Sequence, residues 1–314
     1  MELKFAPFTS SINPGFWSAL TKLKLDVLGL KEEGINVHAY YENKFQPTVP
    51  TLLTLDWNAF DPGKTKKQFH EISISRIFTK IIFPGSEESI GSSWSAYSSN
   101  GVVINYNTLE AFKKFDKNEY LNSTEGNILY EAITCCGDDE NPLVLKDPRI
   151  LTRFVCHTFA DLKKYHYYYW FVFPAFILPP TIQMSQPVQP ICDFLKSEEI
   201  IQKLAKTYLE WKKSNLIQSG FFWIQTDPVI KITNLKDGFQ QFKSYDDVIL
   251  GFADPSSLSD YPGWPLRNLI AFICYYKPEL LIKGNFLYNL FGIVIYFFGG
   301  RFLSIHTYDS KLFF

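Results

Sequence analysis

The residues of this chain that could make or break bonds are poorly spaced for it. Asp61-Pro62-Gly63-Lys64-Thr65 carries the Gly-Lys-Thr ending of a phosphate-binding loop. That loop needs a glycine five positions before Gly63, where Asn58 stands, and Pro62 removes an amide donor a phosphate would use. There is no G-x-G-x-x-G and no G-x-S-x-G. The cysteines, at 135, 136, 156, 192 and 274, are odd in number and form no C-x-x-C, so neither a disulfide framework nor zinc-ligand spacing is present. Cys135 and Cys136 precede Asp138, Asp139 and Glu140, whose negative charge disfavours a thiolate. Cys156-His157 falls in a stretch, 149–162, that reads as a helix, where neighbours in sequence do not face each other. The histidines, at 38, 70, 157, 166 and 306, make no metal-ligand pattern.

Two other segments combine aromatic residues with charge. Phe159-Ala160-Asp161-Leu162-Lys163-Lys164-Tyr165-His166 sets one acid and two lysines beside the run Tyr165–Phe173. It reads either as a solvated surface turn or as the rim of a partner groove, since interface cores favour aromatic residues. The segment 254–268, DPSSLSDYPGWPLRN, brings Tyr261, Trp264 and Arg267 to the start of a helix. Here the choice lies between turn chemistry with Trp264 stapled into the core and a second contact patch.

These segments need a scaffold. Asn13 followed by Pro14 is a helix-start signal. Phe16, Trp17, Leu20, Leu23, Val27 and Leu28 continue at helical spacing to Gly29, predicting one amphipathic helix over 14–28. A helix is also expected from Ser197 to Lys213, with Glu198 and Glu199 in its first turn and Lys212 and Lys213 in its last. Another opens at Pro265, and two more fall over 108–117 and 119–135. Strands are expected at 4–8, 52–57, 77–83, 101–106, 165–173, 221–225, 229–233 and 248–253. The Ser/Gly-rich stretch 85–100 reads as a surface loop.

Hydrophobic residues make up 46% and charged residues 20%, which excludes a disordered chain. The 314 residues suit two parts. The expected fold class is α+β, a mixed α/β arrangement of helices packed on mostly antiparallel sheets and divided into two subdomains. The expected parts are 1–178 and 191–283, joined by a Pro-rich connector at 179–190 and followed by an apolar tail, 284–314. Lys and Arg total 31 against 32 Asp and Glu, so no basic excess exists to neutralise nucleic-acid phosphates. No apolar leader opens the chain, and the cysteine usage fits a reducing compartment.

Four blocks resemble the N-terminal domain of autophagy-related protein 7, the activating enzyme of the autophagy ubiquitin-like modifiers. They are KFAPFTSSINPGFWSALTKLKLDVLGL at 4–30, INYNTLEAFKKFDK at 104–117, HTFADLKKYHYYYWFVFPAF at 157–176 and GFADPSSLSDYPGWPLRN at 251–268. The resemblance implies a mixed α and β domain without chemistry of its own, serving the pathways of autophagy-related proteins 8 and 12. Its implied task is to recruit conjugating enzymes resembling autophagy-related proteins 3 and 10. A separate C-terminal domain of the family binds ATP, carries the thioester cysteine and makes the homodimer. This chain shows no adenylation domain, so no cofactor and no homodimer are expected of it. The expected location is cytoplasmic, at the pre-autophagosomal structure, without nucleic acid or membrane as partner.

On this reading the catalytic set is empty. The contact residues are Phe5, Ala6 and Pro7 as an extended edge for a partner strand, Asp161, Lys163, Lys164 and His166 as a charged rim, and Tyr261, Trp264 and Arg267 as a second patch. Two rivals stand beside it: an autonomous ATP-dependent activating enzyme with an unrecognised site, and a tail-anchored membrane adaptor. The uncharged run 284–300 allows a short membrane helix, a buried strand pair completing a sheet, or an aberrant terminus, the last being the reading adopted.

Overall fold

The computed structural model describes residues 3–6, 10–41, 52–60, 97–134, 142–178, 182–190, 197–214, 219–226, 228–242, 248–253, 263–277, 294–296 and 301–307. The Gly-Lys-Thr motif and the strand expected at 77–83 lie outside them.

The larger sheet is built from β1 (Leu3–Ala6), β2 (Ser10–Ile12), β3 (Ile35–Tyr41), β4 (Leu53–Leu55), β5 (Tyr97–Tyr106), β6 (Phe154–Asp161) and β7 (His166–Phe176). Its strand order is β1-β7-β6-β5-β3-β4-β2. β5–β6 and β2–β4 are parallel pairs, and the other neighbours are antiparallel. The smaller sheet comprises β8 (Ile182–Pro190), β9 (Phe221–Gln225), β10 (Lys231–Asn234), β11 (Val248–Phe252), β12 (Val294–Tyr296) and β13 (Arg301–Thr307), in the order β10-β9-β11-β12-β13-β8.

The helices are α1 (Pro14–Leu23), α2 (Leu109–Lys114), α3 (Lys117–Tyr120), α4 (Gly126–Thr134), α5 (Leu143–Lys146), α6 (Glu198–Ser214), α7 (Leu235–Gln241) and α8 (Pro265–Tyr276). One core cluster joins Phe16 and Leu20 of α1 and Val103, Phe154 and Phe173 of the larger sheet to Phe222, Ile224 and Ile249 of the smaller one. A second gathers around α8, with Leu129 and Ile133 of α4 and Trp223 of β9. At Gly101, β5 passes so close to β6 that a Cβ would collide with the Phe154 ring, so only glycine fits without a shift.

Four expectations need correction. The helix read over 149–162 is a 3-10 turn, Pro148–Thr152, followed by β6. Ile150, Leu151, Phe154 and Val155 do recur at helical spacing. The run from Phe154 to Phe159 is nevertheless rich in β-branched and aromatic residues, and pairing on both sides, with β5 and β7, decides for strand. β5 starts at Tyr97 rather than Gly101, because pairing with Tyr41–His38 of β3 draws Tyr97–Asn100 out of the expected loop. The expected connector carries β8. As the edge strand of its sheet, β8 tolerates Pro187 and Pro190, which cannot donate to a ladder. In the tail, β12 runs parallel to β11 and β13 pairs with β8. Of the two folded arrangements considered there, a membrane helix and a strand pair, the backbone has the strand pair. Among the described residues, no helix is long and apolar enough to cross a membrane.

Candidate functional site

The β6–β7 hairpin closes with Asp161 opposite His166. Inside the turn, Asp161 Oδ1 accepts from the backbone N–H groups of Lys163 and Lys164, each at 3.2 Å. The carboxylate therefore shapes the turn, and the two lysine side chains stand exposed with His166. Tyr165 holds a left-handed backbone, φ 54°, with 78% of its surface in solvent. Leu162, Tyr168 and Tyr169 are exposed as well.

Beside the hairpin runs a groove of about 330 Å³. Its far wall comes from the end of the first helix, which does not keep α-geometry. After Leu23 the backbone widens into a π turn, Lys24–Leu28, and stops at Gly29, whose φ of 57° a side chain would resist. The change of winding rotates the last helical residues out of phase with the core stripe. Val27, expected to face inward, is 69% exposed, and Leu25 and Leu30 stand out beside it. Leu20, Leu25, Leu30 and Leu162 make the apolar walls, with Lys24 and Asn105 among the polar residues lining the groove.

The rest of this wall is latched to the end of β5. Asn107 Nδ2 donates to Leu30 O at 2.8 Å, and Asn107 N donates to Glu32 Oε1 at 2.7 Å. Lys24 Nζ donates to Lys31 O at 2.6 Å and reaches Asn105 O at 3.4 Å. Burial lowers the pKa of this ammonium, and nearby Glu32 partly offsets that.

Neither described cysteine is poised for chemistry. Cys156 and His157 are successive residues of β6 and point to opposite faces of the sheet. Burial raises the Cys156 thiol well above its ordinary pKa and pushes Cys274 up to about 12. His157 is enclosed by Phe115, Tyr120, Trp170 and Tyr106. Its Nδ1 meets the Tyr106 hydroxyl at 3.1 Å, and its buried Nε2 has no hydrogen-bond partner among the described residues. Burial, helped by the charge of Lys117, lowers its pKa to about 3, so it is a neutral core residue.

β1 is the edge strand of the larger sheet. Opposite it, Pro174 O and Phe176 N turn away to the side chain of Asn268. Their register partners Phe5 and Leu3 therefore direct their own N–H and C=O groups to the side of β1 that has no strand partner among the described residues. Ala6 is buried opposite Phe173. Pro7 and Tyr261 lie outside the described residues.

The family model "Ubiquitin-like modifier-activating enzyme ATG7 N-terminus" matches residues 3–283. The chain belongs to this ATG7 N-terminal family. It is 35% identical over 275 residues to the ubiquitin-like modifier-activating enzyme ATG7 of Gallus gallus and 31% identical over 277 residues to that of Homo sapiens. Each match covers 86% of this chain and 34% of the relative, so the chain spans about a third of the length of these relatives. The crystal structure of Kluyveromyces marxianus Atg7NTD shares the fold, with a TM-score of 0.56 at 18% identity over 99% of this chain and 92% of that one. The chain of the K. marxianus Atg7NTD–Atg10 complex gives 0.54 at 18% identity, over 98% and 88%.

Within this family fold, Lys163, Lys164 and His166 are brought together on one exposed tip, and Asp161 serves as its turn former. In the second expected patch, Trp264 departs from the contact reading. Trp264 is 8% exposed with its ring stacked on Phe173 at 4.6 Å, so it packs the core. Arg267, one helical turn on, is half-buried. The apolar wall of Leu25 and Leu30 was missed, since helical periodicity cannot foresee a π turn. The signal available was an excess of large apolar residues just before Gly29.

Proposed function

We propose that this chain is a recruitment domain that holds a conjugating enzyme, of the kinds resembling autophagy-related proteins 10 and 3, in the cytoplasm. The acyl-transfer groups and the ATP belong to other parts of the system. The observation that most supports this reading is the exposed apolar groove beside the lysine-bearing hairpin, on a fold shared with a protein crystallised together with Atg10. Contiguous exposed apolar surface with a charged rim is the form docking surfaces take. The outer edge of β1, which pairs with no strand among the described residues, offers a second, backbone-based contact.

Isothermal titration of the purified chain with each conjugating enzyme tests the reading, and saturable one-to-one binding is expected. Absence of binding to both enzymes defeats it. So does a thioester between a modifier and a cysteine of this chain, or modifier-dependent exchange of pyrophosphate into ATP, either of which would make the chain an enzyme.

A further inference from the structure

The groove has a chemical preference. Among the described residues lining it, Lys24 alone carries a charge, and that charge is a cation set between leucine walls. Among the described residues its ammonium has two carbonyl partners, Lys31 O and Asn105 O, which leaves its third N–H unused. Asn105 accepts from Thr158 Oγ1 at 3.0 Å through Oδ1, and its amide N–H groups have no partner among the described residues. The lining thus presents two sets of spare donors between apolar walls. The hydrogen bonds of this ammonium go to neutral carbonyls only, and Glu32 acts on it through space without touching it; a carboxylate in direct contact supplies closer counter-charge as well as an acceptor. Glu32 does not fill this place: its Oε1 accepts from Asn107 N, and it does not line the groove.

We propose that the groove recognises an acidic side chain flanked by apolar ones on a segment of the conjugating enzyme, with Lys24 receiving the carboxylate and Leu25, Leu30 and Leu162 covering the apolar neighbours. This rests on the recruitment reading and adds the partner's chemistry to it. The exposure of Leu30, 84%, is what such a segment would bury. Its acid would come to lie within reach of a charge that is screened less than a surface one.

The probes are the intact conjugating enzyme and short overlapping peptides tiled along it, titrated into the full chain and its variants. Lys24→Met is expected to weaken the enzyme and the best peptide by about tenfold or more, and Lys24→Arg by no more than about threefold. Replacing the peptide's Asp or Glu by Asn or Gln should cost the same against the native chain and nothing further against Lys24→Met. This cycle removes the concern that the variant has merely loosened the wall.

Leu30→Asp should also abolish binding. If the amide peptide binds the native chain as tightly as its acidic parent, the acid-reading inference is overturned. If Lys24→Met and Leu30→Asp both bind the intact enzyme normally, the groove is not the site, although recruitment stands. Concentration-dependent dimerisation of the chain that Leu30→Asp abolishes would give the groove to a second copy instead. If the native chain fails to bind either conjugating enzyme, the recruitment reading itself falls.

Discussion

The tip of the β6–β7 hairpin and the opening of α8 are alike in composition and opposite in fate. FADLKKYH and PGWPLRN each join aromatic and basic residues next to a turn. In the first, the strands run out past their packing partners and Lys163, Lys164, Tyr165 and His166 meet solvent. In the second, the helix wedges against β7 and the 3-10 turn. Trp264 packs on Phe173, and Asn268, 1% exposed, accepts from Phe176 N at 3.1 Å and donates to Leu151 O and Pro174 O at 2.9 and 3.1 Å. Residue type does not separate a contact surface from a keystone. What separates them is whether other elements cover the segment, and whether its polar groups are used up inside the molecule.

Breaking the keystone should have the largest effect. Asn268→Leu leaves one buried N–H and two buried carbonyls without partners, each costing about 1–3 kcal/mol. A loss of roughly 3 kcal/mol or more is expected in urea unfolding, enough to remove much of the stability of an ordinary domain. A loss below about 1 kcal/mol would show that α8 is not the clamp described.

The root of the same hairpin sharpens the contrast with its tip. His157 is neutral and enclosed, with a pKa of about 3 against an ordinary value of 6.5. The unfolded chain takes up a proton near 6.5 and the folded one does not. The stability contributed by the neutral ring is therefore complete above about pH 6.5 and falls by about 1.4 kcal/mol per unit as the pH drops toward 3. Unfolding free energies at pH 7 and 5 should differ by about 2 kcal/mol more in the native chain than in His157→Phe. Equal slopes would mean the cap of Phe115 and Tyr120 is open to water.

Much of the fold was legible, and the failures share a cause. α6 announces itself by its cap, charge order and a 3.6-residue stripe, because it lays one face on the core, and α8 by Pro265 and the dense apolar run behind it, because the core surrounds it on nearly every side. β6 was misread because its apolar residues satisfy two periods at once, and only its partners β5 and β7 decide between them. The hairpin was legible as a charged, aromatic turn. The groove was not, because it depends on the π turn at Lys24–Leu28, a change in winding with no composition of its own. Trp264 read both as a core staple and as an anchor because aromatic residues serve cores and interfaces equally well.

The lysines of the tip should matter only for binding. Lys163→Glu with Lys164→Glu is expected to leave the melting temperature unchanged while slowing association with the conjugating enzyme about three- to tenfold, an effect that fades at high salt. A lower melting temperature would mean that the tip shares the structural duty seen at Asn268. Unchanged association would remove the lysines from the docking surface.

The smallest change tests the contrast most directly. Tyr165 occupies a left-handed backbone position that suits glycine and disfavours a bulky side chain by about 1–2 kcal/mol. Its ring, mostly in solvent, has little packing with which to offset that strain. Glycine gives part of this gain back through the greater entropy of the unfolded chain, so Tyr165→Gly should stabilise the protein by no more than about 1 kcal/mol in urea unfolding while weakening the conjugating enzyme measurably. A strained aromatic that folding does not need is explained by a partner that does. If the glycine variant gains stability and binds undiminished, the tip is ordinary surface, and recruitment must rest on the groove and the β1 edge alone.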